Sequence, residues 1–88
     1  MNLEKILGSP GRIRLLKVIL QHGQINITRL ARETGLHHRL VSRYISEFEE
    51  EGIVTVRRIG RLRIIEANLY KPEVSLLRDL IESVGGSR

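Results

Sequence analysis

The 88-residue sequence has no cysteine, which excludes a disulfide framework, a thiolate metal site and a cysteine nucleophile. It also lacks any apolar run near the roughly 20 residues a membrane span needs, and residues 1–8 carry no secretory pattern, so a soluble intracellular protein is the expectation. Acid is scarce over much of the chain. Between Gly8 and Ser46, Glu33 alone stands against Arg12, Arg14, Lys17, Arg29, Arg32, Arg39 and Arg43. There is no linker, internal repeat or low-complexity stretch, so residues 1–88 read as one domain. A chain of this size buries only about 60–65 % of its unfolded surface, and a second copy completing the core would help it.

Catalytic chemistry is also missing. There is no glycine-rich phosphate loop and no nucleophile paired with a base, and, apart from Glu4 and Glu33, the acids fall in a block from Glu47 to Glu51 or at the scattered positions Glu66, Glu73, Asp79 and Glu82. The block reads as the solvated end of a helix. His37 and His38 are adjacent and would project about 100° apart on a helix, while His22 lies elsewhere, so the three histidines do not form a chelating set. No enzyme activity, metal or cofactor is expected.

What is present is a set of spaced helix signals. Asn2 caps a short helix that Gly8 ends. Ser9-Pro10 opens a second helix that runs to about Gln21 and stops at Gly23, with Ile13, Leu16, Ile19 and Leu20 facing inward and Leu15 and Val18 widening the apolar arc, so burial on more than one side is expected. Ile25 and Ile27 flank Asn26 as a very short strand, and Thr28 is the expected cap of the next helix.

Residues 26–51 then follow the spacing of two helices crossing at a steep angle. Ala31 is small enough for close approach, and Gly35 suits a left-handed exit from the first of the two helices. Leu36 plugs the corner. Val41, Ile45 and Phe48 recur at i, i+4 and i+7 on the inner face of the second helix. His38, Arg39, Ser42, Arg43 and Ser46 occupy its opposite, polar face. Tyr44 has two readings: a hydroxyl that bonds phosphate, or a packed ring with an exposed hydroxyl.

After Gly52, residues 53–59 and 62–67 are β-branched runs around Gly60-Arg61, the signature of a two-residue type II′ hairpin. That register puts Val54, Val56, Ile65 and Ala67 on one face with Arg58 and Arg63. Thr55, Arg57, Ile59, Leu62, Ile64 and Glu66 share the other. A three-residue turn would shift the faces by one.

Charge and pattern coincide. The net charge is +5, and its two basic islands are the helix pair and the hairpin, the latter holding Arg57, Arg58, Arg61 and Arg63. A polyanion is the natural partner, because neutralising phosphates releases counterions. A solvated basic surface is the plainer alternative.

The order helix, helix, short strand, helix, helix, hairpin, helix is mainly α with a small β-hairpin, a winged helix-turn-helix. The segments Leu7-Gly8-Ser9-Pro10-Gly11-Arg12-Ile13-Arg14, Asn26-Ile27-Thr28, Glu33-Thr34-Gly35-Leu36, Val41-Ser42-Arg43, Gly52-Ile53-Val54 and Arg57-Arg58-Ile59-Gly60-Arg61 resemble the archaeal winged-helix transcriptional regulators with an ArsR-like or MarR-like helix-turn-helix. Twelve arginines against three lysines are consistent with an archaeal origin.

The resemblance implies sequence-specific binding of double-stranded DNA. The recognition helix, residues 37–51, would lie in the major groove with His37, His38, Arg39, Ser42 and Arg43 nearest the bases and Tyr44 and Ser46 beside them. Thr28 and Arg29 would support it at the phosphates, and the wing, residues 57–63, would sit on the backbone or minor groove. His37 stands where such domains often place serine, threonine or asparagine as a cap; either it projects to DNA or the cap is supplied otherwise.

Pro72 starts a terminal helix, residues 72–84. Some of its apolar stripe of Val74, Leu77, Leu80, Ile81 and Val84 must cover the domain's own core, and the rest, with Leu3, Ile6 and Leu7, reads as a homodimer interface. Closure of the monomer core by both helices is the alternative. The expected setting is cytoplasmic and nucleoid-associated. An architectural, chromatin-like protein and a winged-helix protein-docking module are the competing functional readings.

Overall fold

Four helices in this chain begin with a side chain that accepts a hydrogen bond from one of the first unpaired helix amides. The computed structural model describes residues 1–85, and the side chains of residues 1–83. Asn2 opens α1 (Leu3–Leu7) by accepting from the Lys5 amide at 3.0 Å. Ser9 opens α2 (Pro10–His22) by accepting from the Arg12 amide at 3.2 Å, with Pro10 in the first turn. The chain then crosses β1 (Gln24–Asn26) into α3 (Ile27–Thr34).

The cap of α3 is Asn26 rather than the expected Thr28. Asn26 Oδ1 accepts from the Arg29 amide at 2.8 Å while its backbone is still extended as the last residue of β1. One residue thus closes the strand and opens the helix, and the exposed Thr28 is left without that task. Gly35 leaves α3 in the left-handed region (φ 72°, ψ 10°), as expected, and its amide reaches the Ala31 carbonyl at 2.9 Å.

The next helix, α4, is His38–Glu50, one residue shorter at each end than the expected 37–51. His37 stands just outside it in extended conformation, its Nδ1 accepting from the Arg39 amide at 3.1 Å. The imidazole therefore supplies the cap that a shorter polar side chain would normally provide. Glu51 closes the other end.

The hairpin has the expected register. β2 (Val54–Ile59) and β3 (Leu62–Ala67) are antiparallel, with Ile59 opposite Leu62, Arg58 opposite Arg63 and Val56 opposite Ile65. Gly60 has φ 60° and Arg61 does not have a positive φ, the combination a type II′ turn requires. β1 pairs with the free side of β3, placing Ile25 opposite Ile65, so the sheet order is β1-β3-β2. Val54, Val56, Ile65 and Ala67 are buried. At the base of the hairpin the buried Asn68 donates from Nδ2 to the Gly52 carbonyl (2.8 Å), and its Oδ1 accepts from the Thr55 hydroxyl (2.7 Å).

The core runs from α2 through α3 and α4 to the inner face of the sheet. Leu15, Leu16, Ile19, Leu30 and Val41 are wholly enclosed, together with Phe48 and Ile65. The widened arc of α2 is there: Leu15 is fully buried with Leu16 and Ile19, while Ile13, Val18 and Leu20 are only half-buried.

α5 (Pro72–Gly85) lies against α2, and this narrows the expected interface. Ile6, Val74, Leu77 and Ile81 are at most 5 % exposed, because a core this small uses one whole stripe of α5 and the inner residue of α1 to close itself. Leu3, Leu7 and Leu80 remain exposed, and Leu76, not expected, is the most exposed leucine. The side chain of Val84 lies outside the described residues. No helix among the described residues is long and apolar enough to cross a membrane.

Candidate nucleic-acid interface

The two faces of α4 follow from one spacing used twice. Val41, Ile45 and Phe48 are buried at i, i+4 and i+7, while Arg39, Arg43 and Ser46 are exposed at the same intervals, two residues out of phase. Two residues amount to about 200° of helical rotation, so the second stripe points directly away from the core. His38 is exposed beside it and Ser42 is half-buried. A helix with such a face fits the major groove, about 12 Å wide.

Tyr44 turns out to belong to the scaffold. It is 8 % exposed and packs so closely on Gly11 that an added Cβ there would sit 3.2 Å from Tyr44 Cε2. The Arg12 guanidinium covers the ring at 4.2 Å and that of Arg43 lies 5.6 Å from its centroid. No buried side-chain nitrogen or oxygen among the described residues lacks a partner, so the Tyr44 hydroxyl, which has none, reaches the surface. The packed-ring reading is the one that holds. Arg43 gains a ring to lie on, a cation–π contact that limits where its charge can go.

The acidic block is not merely solvated. Glu47 accepts from Arg12 Nε at 3.0 Å and Nη2 at 2.9 Å, with Lys5 Nζ 3.8 Å away, and Glu51 accepts from the Asn2 amide at 2.9 Å. These contacts pin the inner side of α4 to α1 and α2. Arg12, only 14 % exposed at its side chain, is a tether that sequence reasoning counted with the free bases. An arginine 35 positions from its acid leaves no local signal.

Other cations are partly engaged. Arg14 donates to the Thr34 carbonyl at 3.2 Å. Arg29 and His22 both hydrogen-bond Glu33, and these bonds, led by that from His22, hold the Glu33 carboxyl below the usual carboxylate range although it is exposed. Arg29 is therefore open to another anion only by sharing or leaving an acid it already holds. In contrast, His38, Arg39, Arg43 and Arg61 face no acid within ion-pair distance among the described residues.

The wing is joined to the same face. Arg63 Nη2 approaches Ser42 Oγ at 3.5 Å and Arg58 lies 3.7 Å from Glu49, so the Arg58–Arg63 pair leans on α4. Arg57, on the opposite face, donates to Gln24 Oε1 at 2.8 Å. Arg61 sits at the turn. The site thus combines a polar helix face with a hairpin carrying four arginines, three on its strands and Arg61 at its turn.

Residues 12–55, half of the chain, match the winged helix-turn-helix DNA-binding family. The chain belongs to that family. The structure of this winged helix-turn-helix protein is similar to that of the antimony-specific transcriptional repressor AntR, at 24 % identity and TM-score 0.80 over 93 % of this chain and 72 % of that one. It is similar also to HlyU from Vibrio cholerae (16 %, TM-score 0.81, 97 % and 89 % covered) and to the transcriptional repressor BigR from Xylella fastidiosa (20 %, TM-score 0.79, 98 % and 85 % covered). At these identities the likeness establishes the fold. No curated protein matches the sequence.

Proposed function

We propose that this winged helix-turn-helix protein is a sequence-specific transcriptional regulator of the ArsR-like or MarR-like kind, binding double-stranded DNA as a homodimer in the cytoplasm, at the nucleoid. The observation that carries the reading is the outward stripe of His38, Arg39, Ser42, Arg43 and Ser46 on α4 with the arginine wing leaning on it. His37 acts as the cap of the recognition helix and only then as a DNA neighbour. Thr28 and Arg29 face the flanking phosphates, and the side chains of Arg57, Arg58, Arg61 and Arg63 grip the backbone beside the helix. Specificity is tested by competition. An affinity for a duplex selected from random DNA that exceeds the affinity for random duplex by about 10³ or more supports a regulator, and a ratio near one supports an architectural protein instead.

Dimerisation rests on a surface narrower than the sequence suggested. Met1, Leu3, Leu76 and Leu80 line one groove between α1 and α5, each more than 40 % exposed. A second copy is the occupant that would hide this groove in both chains at once and place two recognition helices on one duplex. Half-sites would then lie about 34–36 Å apart, one turn of DNA. Sedimentation should find a particle of two 10.1-kDa chains, and Leu76→Glu with Leu80→Glu should halve its mass. A wild-type monomer at micromolar concentration would remove the paired reader and leave the DNA face intact.

A further inference from the structure

We propose that the tip of the β2–β3 hairpin is an apolar wedge that enters the minor groove and favours deformable base steps there. The inference rests on the DNA-binding reading above and adds to it a role the arginines cannot perform. Ile59 is 62 % exposed and Leu62 45 %, and they face each other directly across the last pair of the ladder. The register puts them on the outer face, so neither belongs to the core. Neither lines the α1–α5 groove where Met1, Leu3, Leu76 and Leu80 gather.

Secondary structure does not account for this pair. Isoleucine suits a strand and an opposed pair helps a hairpin, but neither effect calls for two large aliphatic side chains left about half in open water beside the turn. Nothing lies within 4 Å of the point where a Cβ on Gly60 would stand, so the turn projects into free space. Around it are Arg57, Arg58, Arg61 and Arg63, with no acid between residues 57 and 65. A partner for the tip must therefore be strongly anionic outside and apolar in a narrow interior.

The minor groove has that chemistry, with phosphates on its rims and deoxyribose rings along its walls. Width decides what can enter. Hairpin strands lie about 4.8 Å apart before any side chain is added, and the groove is about 6 Å wide, so the body of the wing stays on the rim. The directly opposed Ile59 and Leu62 have Cβ atoms about 5 Å apart and form one ridge of about the groove's width. Arg57 and Arg61 would remain at the phosphates. Apolar side chains lodged there partly unstack a base step and bend the duplex, which is easiest at pyrimidine–purine steps. Sequence preference then arises at positions that α4 never touches.

The test compares the full chain with Ile59→Thr/Leu62→Thr and with Arg61→Ala on one end-labelled duplex selected from random DNA, across a salt series. Threonine keeps the strand preference and the charge, and an unchanged melting temperature checks the fold. The double variant should weaken binding by about tenfold through lost apolar contact, leave the slope of log affinity against log salt unchanged, and abolish the shortening of the end-to-end distance by energy transfer. Arg61→Ala should instead lower the salt slope by about 0.9 and keep the bend. Wild-type affinity and bend in the double variant would overturn the wedge alone, as would a loss that brings the salt slope down with it. A wild-type chain that binds no duplex would overturn the wedge and the DNA-binding reading together.

Discussion

Replacing Phe48 by alanine is expected to lower the unfolding free energy by about 3–5 kcal/mol, seen as a fall in the urea midpoint. Phe48 is the largest of the fully enclosed side chains, at 1 % exposure. Its removal costs both the transfer of the ring from water and the cavity left in the core. A domain of 88 residues has about 4–13 kcal/mol of stability in all, so the variant should be largely unfolded if the wild type lies at the lower end. The consequence for function is indirect but severe. Phe48 with Ile45 and Val41 holds the inner side of α4, and a helix that loses its anchor no longer presents Arg39, Arg43 and Ser46 in one line. A loss below about 1 kcal/mol would mean that the Arg12–Glu47 tether and the sheet, rather than this ring, position the helix.

How much of this was legible beforehand depended on the range of the interaction. The hairpin register was readable because Gly60-Arg61 sits between β-branched runs, and a two-residue turn leaves only one pairing that buries Val54, Val56, Ile65 and Ala67. The outward face of α4 followed from period alone. The cap of α3 was misplaced by two residues because Asn26 and Thr28 are both good caps, and the choice between them lay with β3, whose pairing keeps Asn26 extended. His37 as a ring-nitrogen cap was missed for a related reason: intrinsic preference argued against it, and the helix used the acceptor it had.

The interface was only half readable. An apolar stripe on α5 states that something covers it, and both the chain's own core and a second copy satisfy that statement. Burial separates them, assigning Val74, Leu77 and Ile81 to the core and leaving Leu76 and Leu80 outside. Tyr44 posed the same question on α4. Its ring lies under Arg12, an ion-paired residue 32 positions earlier, and no spacing rule reaches that far. Long-range partners, then, decide which of two locally equivalent residues works and which one packs.

Arg43→Ala is expected to reduce discrimination between the selected duplex and a mismatched one by about 1–3 kcal/mol, with little change in stability. Arg43 is exposed at the middle of the outward stripe, faces no acid among the described residues, and lies 5.6 Å over the Tyr44 ring. The ring matters because a guanidinium already confined to one region loses less freedom when it meets a base edge. Its planar fork matches the two acceptors of guanine, O6 and N7, so removing it should be felt at one base pair and little elsewhere. Arg61→Ala is the contrast. Arg61 lies at the turn, where phosphates rather than base edges are in reach, and its loss should weaken every duplex alike and lower the salt slope by about 0.9. Titrating both variants against the selected duplex, a single mismatch and random DNA at two salt concentrations separates the roles. Equal losses on all three duplexes for both variants would mean that α4 holds the backbone and that sequence is read elsewhere in the protein; the wing tip at Ile59 and Leu62 would then be the first place to look.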